Sequence, residues 1–331
     1  MDYRFLGSTG VRVSSLCLGA LAFGRELDEA ASHCIIGRYL EAGGNFIDTA
    51  DSYGDGRSEE IVGRAIRDCR EQIVLATKVG WQVGDRPDDV GLSRRRIIRS
   101  LEGSLRRLRT DHVDVYYLHC WDAAADIERV VRVMGELVRA GEVRYWGVSN
   151  FTGWQIAHTM AIARRSGCAV PVAVQPQYSL MVRNIEREVL PAAQWFDLAV
   201  VAWSPLARGM LADRFRSGEA PLEHSRIGCS RFWIDDWRRW DRERHWCVLE
   251  TVRDLAAERE RTSAQIALNW LLQQPGVTAP VLGVTKLSQL EENLGALGWE
   301  LTAEELERLE EASAFATGYP YEFMNRWEEV R

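Results

Sequence analysis

Four residues far apart in the chain, Asp48, Tyr53, Lys78 and His119, are the types that carbonyl reduction needs beside its hydride source. That reaction puts hydride on carbon and a proton on oxygen. A tyrosine hydroxyl is a poor acid near neutrality, with an unperturbed pKa of about 10. An ammonium within hydrogen-bond reach stabilises the phenolate and draws that value toward working pH. A carboxylate paired with the lysine keeps it charged and oriented, and a neutral histidine can donate to the carbonyl. Each residue also has an ordinary reading by itself. Asp48 is a turn former after a strand, Lys78 is a Schiff-base lysine of an aldolase barrel, and His119 is a satisfied core histidine. His112 reads as structural. Cys120 alternates with His119 and should face the outer helices, which argues against a His/Cys metal site.

Apolar runs rich in Val and Ile place these residues at strand ends. The runs are LCLGA (16–20), NFID (45–48), QIVLATKV (72–79), HVDVYYLH (112–119), VRYWGVSN (143–150), VPVAVQ (170–175), LAVVAWS (198–204) and APVLGV (279–284). Segments of helical periodicity lie between them, such as LSRRRIIRSLEGSLRRLR. Helix starts are expected at Ser58, ahead of Glu59 and Glu60, and at Thr262, three residues before Gln265. Eight strands alternating with helices predict a (β/α)₈ TIM barrel, with reactive groups at the C-terminal strand ends. A doubly wound sheet would need G-x-G-x-x-G near its first strand, and neither LGALAFG nor GDGRSEE completes it. YRFLGSTGVRVSS reads as an N-terminal hairpin. The stretch from Leu206 to Arg244 is a long loop after the seventh barrel strand. Its Trp233, Trp237 and Trp240 are read as lining a substrate mouth, with pinning of the loop as the alternative. Residues 1–331 are expected to form a single domain.

Composition narrows the partners. The chain is 331 residues long with a formal charge of -7, which argues against nucleic-acid binding. No apolar run reaches the length of a membrane helix, and the N-terminus has no signal-peptide core. Cysteines at 17, 34, 69, 120, 168, 229 and 247 form no C-x-x-C pair, which suits reduced thiols in a cytoplasm. Of 41 basic residues only two, Lys78 and Lys286, are lysines. Arginine cannot replace lysine where a compact ammonium is required, so a position still holding lysine in such a chain stands out. Neither lysine is followed by Ser or Thr, so a phosphate loop of the G-x-x-x-x-G-K-[ST] type is excluded.

The segments FIDTADSYG, ATKVG, YLHC, GVSN, VQPQYSL, WSPLARG and LEENLGAL, in this order, resemble the aldo-keto reductases. The resemblance runs from the hairpin to near residue 315. Within the family it points to the branch of aryl-alcohol dehydrogenase-like enzymes and potassium-channel β-subunits. It implies NADPH-dependent reduction of an aldehyde or ketone, with Tyr53 as proton donor, Lys78 and Asp48 as its tuning pair, and His119 as the carbonyl orienter. It also implies NADP as cofactor, held by Gly19, Ala20, Leu21 and Asp48 near the first strands. Ser149, Asn150 and Gln175 would bind the nicotinamide amide, and Trp203 would stack on the ring where a tyrosine is commoner. Ser204, Pro205, Leu206 and Arg208 would follow the pyrophosphate, with Arg214 and Arg226 reaching the phosphates. Gly283, Thr285, Gln289, Glu292 and Asn293 match the adenosine end. Thr285 stands where many members carry arginine, so the 2′-phosphate contact of NADPH falls to Arg226 and Lys286. Lys286 opens the last barrel helix, where backbone N–H groups favour a phosphate. The partner implied is a small carbonyl compound: a simple aldehyde, quinone, steroid or nucleotide-linked deoxysugar. A second reading is a nucleotide-binding, redox-sensing regulatory subunit. The channel subunits lack a histidine at the position of His119, so its presence here favours turnover.

Overall fold

The chain starts with the expected hairpin. In the computed structural model, which describes residues 1–221, 223, 225–229 and 236–329, β1 (Tyr3–Phe5) pairs antiparallel with β2 (Arg12–Ser14). Leu6 and Val13, both buried, close the floor of a barrel together with Phe46, Val74 and Val201. Arg4 fastens this plug by donating to the carbonyls of Val277 and Leu272, each at 2.7 Å. Gly7 is required in the turn: its φ is 56°, and a Cβ there would lie 2.6 Å from the Asp197 carbonyl.

Strands and helices then alternate. β3 (Cys17–Gly19) leads to α1 (Glu29–Glu41), β4 (Phe46–Asp48) to α2 (Arg57–Ala65), β5 (Val74–Val79) to α3 (Arg94–Leu108) and β6 (Val113–Leu118) to α4 (Ile127–Ala140). β7 (Val143–Ser149) leads to α5 (Gly153–Arg165), and β8 (Ala173–Gln175) to α6 (Val189–Trp195). After β9 (Ala199–Ala202) come α7 (Arg226–Cys229), α8 (Trp237–Trp240), α9 (Glu243–Glu258) and α10 (Ser263–Gln273). β10 (Val277–Gly283), α11 (Leu287–Leu294), α12 (Ala303–Ser313) and α13 (Tyr321–Glu329) follow. Strands β3 to β10 form a closed parallel barrel in sequence order, sealed where β10 pairs with β3. Every residue of β5 is buried, because the inside and outside of a closed barrel are both covered. Inside, small residues (Ala76, Ala173, Ala199, Ala279) make room for Phe46 and Tyr117. Among the described residues no helix is long and apolar enough to cross a membrane.

One local expectation is met. Thr262 and Gln265 form the predicted capping box, and α3 is capped by Ser93, whose hydroxyl accepts from the Arg96 N–H at 3.2 Å. Two are corrected. Helix α2 begins at Arg57, after Gly56, and Ser58 is buried inside it, donating to the Ala20 carbonyl at 2.7 Å. Tertiary contact has overridden its capping preference. In the long segment after β9, Trp240 is buried and Trp237 packs on Phe215 and Trp246, with ring centroids 5.4 and 6.1 Å apart. These two indoles pin the loop instead of lining a mouth, since burying them gives a polar segment its own small core. Trp233 lies outside the described residues.

Candidate active site

The four dispersed residues meet at the C-terminal rim of the barrel. β4 ends at Asp48 and Tyr53 stands five residues on, at the first turn of the following loop. β5 presents Lys78 one residue before its end, and His119 directly follows β6. Lys78 is fully buried, and its ammonium donates to Asp48 Oδ2 at 2.5 Å, the Thr49 carbonyl at 2.8 Å and Tyr53 Oη at 3.1 Å. Burial pulls the lysine pKa down, but Asp48 and Tyr53 outweigh it and leave the value raised. That is the reverse of what a Schiff-base amine needs, so the aldolase reading has no support here. The other oxygen of Asp48 accepts from Gln175 Nε2 at 2.8 Å, so both carboxylate oxygens are held.

His119 is neutral: burial and the nearby Lys78 charge hold its pKa well below the usual imidazole value. Its Nδ1 is buried without a hydrogen-bond partner among the described residues. The ring stands edge-on to Tyr53 at 6.1 Å and to Trp81 at 5.9 Å between centroids. His112, by contrast, pairs with Asp111 at 2.7 Å ahead of β6, away from this rim. Cys120 is half-buried, and burial raises its thiol pKa.

The residues matched to a cofactor line neighbouring strand ends. Gly283, Gly19 and Asp48 are level on adjacent strands, as are Ser149 and Gln175. Gly19 and Ala20 are buried, Leu21 half-buried, and the Ala20 N–H donates to the Asp48 carbonyl at 2.8 Å. Ser149 Oγ donates to the Gln175 carbonyl at 2.8 Å. Trp203 follows β9, and its indole N–H donates to Asn150 Oδ1 at 3.0 Å; Asn150 Nδ2 donates in turn to the His119 carbonyl at 2.9 Å. Ser204, Pro205, Leu206 and Arg208 continue the turn, with the Arg208 guanidinium 5.3 Å from the Trp203 ring centroid. Arg214 is exposed. Arg226 opens α7, and its side chain lies outside what the structure describes. Lys286, exposed, precedes α11. The Thr285 N–H is taken up by Gln289 Oε1 at 2.8 Å, the Glu292 carbonyl by Gln265, and Asn293 is buried.

The backbone around this rim is unusual. Asn150, Ser204, Ala207 and Arg208 adopt left-handed φ of 57°, 56°, 47° and 60°. Such conformations cost about 1–3 kcal/mol each and cluster at binding sites. A half-buried indole face, flanking amide donors and arginines on strained turns fit a nicotinamide dinucleotide. The aromatic surface suits the ring, and the cations suit its phosphates.

Sequence reasoning overlooked two features. Asp51, within the TADSYG run, pairs with Arg96 at 2.6 Å. Trp81 was not singled out, though it directly follows the K-V-G that carries Lys78. The hydrophobic run ending two residues earlier was the available signal. Arg96 had none, being one arginine among many.

Barrel and rim together define a (β/α)₈-barrel oxidoreductase. The chain belongs to the Aldo/keto reductase family, which it matches over residues 15–314. It is 37% identical over 308 residues to a probable voltage-gated potassium channel subunit beta of Oryza sativa subsp. japonica, covering 90% of this chain and 91% of that one. An uncharacterized oxidoreductase YrpG of Bacillus subtilis is 38% identical over 321 residues, covering 93% and 95%. Norsolorinic acid reductase of Aspergillus flavus is 33% identical over 339 residues, covering 97% and 84%. The family and its named reductases make this an oxidoreductase of the carbonyl-reducing kind.

Proposed function

We propose that the protein reduces an aldehyde or ketone to the alcohol with NADPH, Tyr53 delivering the proton. One observation carries this reading: Lys78 Nζ lies 3.1 Å from Tyr53 Oη and 2.5 Å from Asp48 Oδ2 at the barrel rim. The bound nicotinamide supplies the hydride. Tyr53 Oη gives its proton to the carbonyl oxygen, and the Lys78 ammonium stabilises the phenolate left behind. Asp48 and the Thr49 carbonyl keep that ammonium charged and aimed. His119, neutral, donates to the same oxygen and sets the carbonyl angle. Trp203 offers its face to the nicotinamide, with Ser149, Asn150 and Gln175 around the amide. Backbone at Gly19, Ala20, Leu21, Ser204, Pro205, Leu206 and Gly283 cradles the dinucleotide. Arg208, Arg214, Arg226 and Lys286 neutralise its phosphates, the last two favouring NADPH over NADH. Thr285, Gln289, Glu292 and Asn293 lie toward the adenosine end.

The test follows the reduced-nicotinamide absorbance with NADPH and NADH over a panel of aldehydes, ketones and quinones. Tyr53→Phe should lower kcat by about 10²-fold or more while still binding NADPH. Full activity in that variant removes the proton-donor assignment. Likeness to probable channel subunits supports a second reading, a nucleotide-binding subunit with little turnover. Tight NADPH binding without turnover on any carbonyl of the panel would favour it.

A further inference from the structure

We infer that Arg96 and Arg107, both on α3, are positioning residues that fix Tyr53 by anchoring its loop on either side of a strained turn. The inference rests on the reading of Tyr53 as proton donor. Tyr53 is followed by Gly54, Asp55 and Gly56 at φ of 57°, 56° and 90°, three left-handed residues in a row. For Asp55 such a conformation costs about 1–3 kcal/mol and persists only where the surroundings enforce it.

Two ion pairs supply that enforcement. Ahead of the turn, Asp51 Oδ2 accepts from Arg96 Nη2 and from Ser100 Oγ, each at 2.6 Å. Beyond it, Glu59 accepts from Arg107 Nη2 at 2.6 Å and from Thr77 Oγ1 at 2.6 Å, Thr77 being the neighbour of Lys78. The carboxylates are 1% and 0% exposed. Arg107 also passes over the turn: a Cβ on Gly56 would lie 2.6 Å from its Cδ. Arg96 makes a further bond to the Trp81 carbonyl at 3.3 Å, joining the Tyr53 loop to the loop whose indole packs on His119.

Arg96, Ser100, Ser104 and Arg107 thus form a polar stripe along the inner side of α3, at helical spacing. Apolar residues there would stabilise the fold at least as well, since buried ion pairs repay their desolvation poorly. Burial pushes the Asp51 and Glu59 carboxyls upward even with the arginines in place. What both pairs have in common is the turn between them.

The experiment compares Arg96→Met and Arg107→Met, each with and without Tyr53→Phe, at saturating NADPH. It measures kcat, the KM for the carbonyl, and NADPH binding by quenching of tryptophan fluorescence. Each single variant should lose about tenfold or more in kcat, because displacing a reacting group by an ångström is that costly. NADPH affinity should stay within about twofold, and the residual rate of Tyr53→Phe should not fall further. Arg96→Lys should recover part of the loss. If Arg96→Met does not fold, Asp51→Asn, which keeps the side-chain shape, is read in the same way. A kcat near that of the wild type, or an equal loss in both Tyr53 backgrounds, overturns the inference. Full activity of Tyr53→Phe alone would instead remove the proton-donor reading beneath it.

Discussion

Lys78 directs its three donors to a carboxylate, a main-chain carbonyl and a phenol, and it has no exposed surface. A guanidinium is planar, larger and unable to place one charge at the meeting point of three oxygens. Lys78→Arg should therefore retain the charge yet lose about 10²–10³-fold in kcat, with the protein still folded. Circular dichroism beside the absorbance assay checks this, and an active arginine variant would show that charge alone suffices. The lysine was legible because the chain has almost no others. Asp51 was not: its role depends on Arg96, forty-five residues away on a different element. Asn150 was matched to a cofactor amide, and its bridge from the Trp203 indole to the His119 main chain could not be read from GVSN.

Helix α12 shows how an outer element is locked down. Thr302 and Glu305 form its capping box, and Glu305 also receives Arg259, at the C-terminal cap of α9, at 2.5 and 2.6 Å. Arg308 clasps Glu258 of the same neighbour at 2.8 Å. The hydrogen-bonded Arg259 holds the Glu305 carboxyl down to about 2, against some opposition from burial. A carboxyl with a depressed folded pKa stabilises the fold above its unfolded value of about 4.5, and that contribution is lost as pH falls toward 2. Glu305→Gln should lower Tm at pH 7, by an amount corresponding to about 1 kcal/mol, with the gap to wild type closing as pH falls from 4.5 toward 2. Thermal unfolding across that range measures it; a gap independent of pH would mean the charge is irrelevant. The cap lies within a local T-x-x-E pattern, whereas its partner Arg259 leaves no mark in that pattern.

For the molecule as a whole, two buried histidines set an acid limit. His119 is held well below the ordinary imidazole value by burial and by Lys78, and His245 is lowered by burial first. The unfolded chain takes up their protons near pH 6.5 and the folded chain only at lower pH, so stability is full above that value and declines below it. Asp51 and Glu59, raised by burial, slope the opposite way in their own range, so a difference between two chains is the clean readout. Between pH 7 and 5 the Tm of wild type should fall further than that of His119→Asn. Parallel curves would place the His119 proton in solvent reach. The eight-strand count behind this compact arrangement came directly from apolar runs separated by amphipathic helices. β8 proved shorter than its run: Ala173–Gln175 pairs with β7, and Ala173 and Val174 pair with β9.

Periodicity and strand-end polarity were enough to predict the barrel and its hairpin plug, and the family resemblance singled out four residues among the polar groups at the strand ends. Each of these is written in local pattern and in residue type. The fate of Trp237 and Trp240, the demotion of Ser58 from cap to helix interior, and the pairing of Arg96 and Arg107 with Asp51 and Glu59 were decided elsewhere. They follow from which surfaces face one another once the barrel closes, and a burial partner supplied from a distant segment leaves no local mark on the chain.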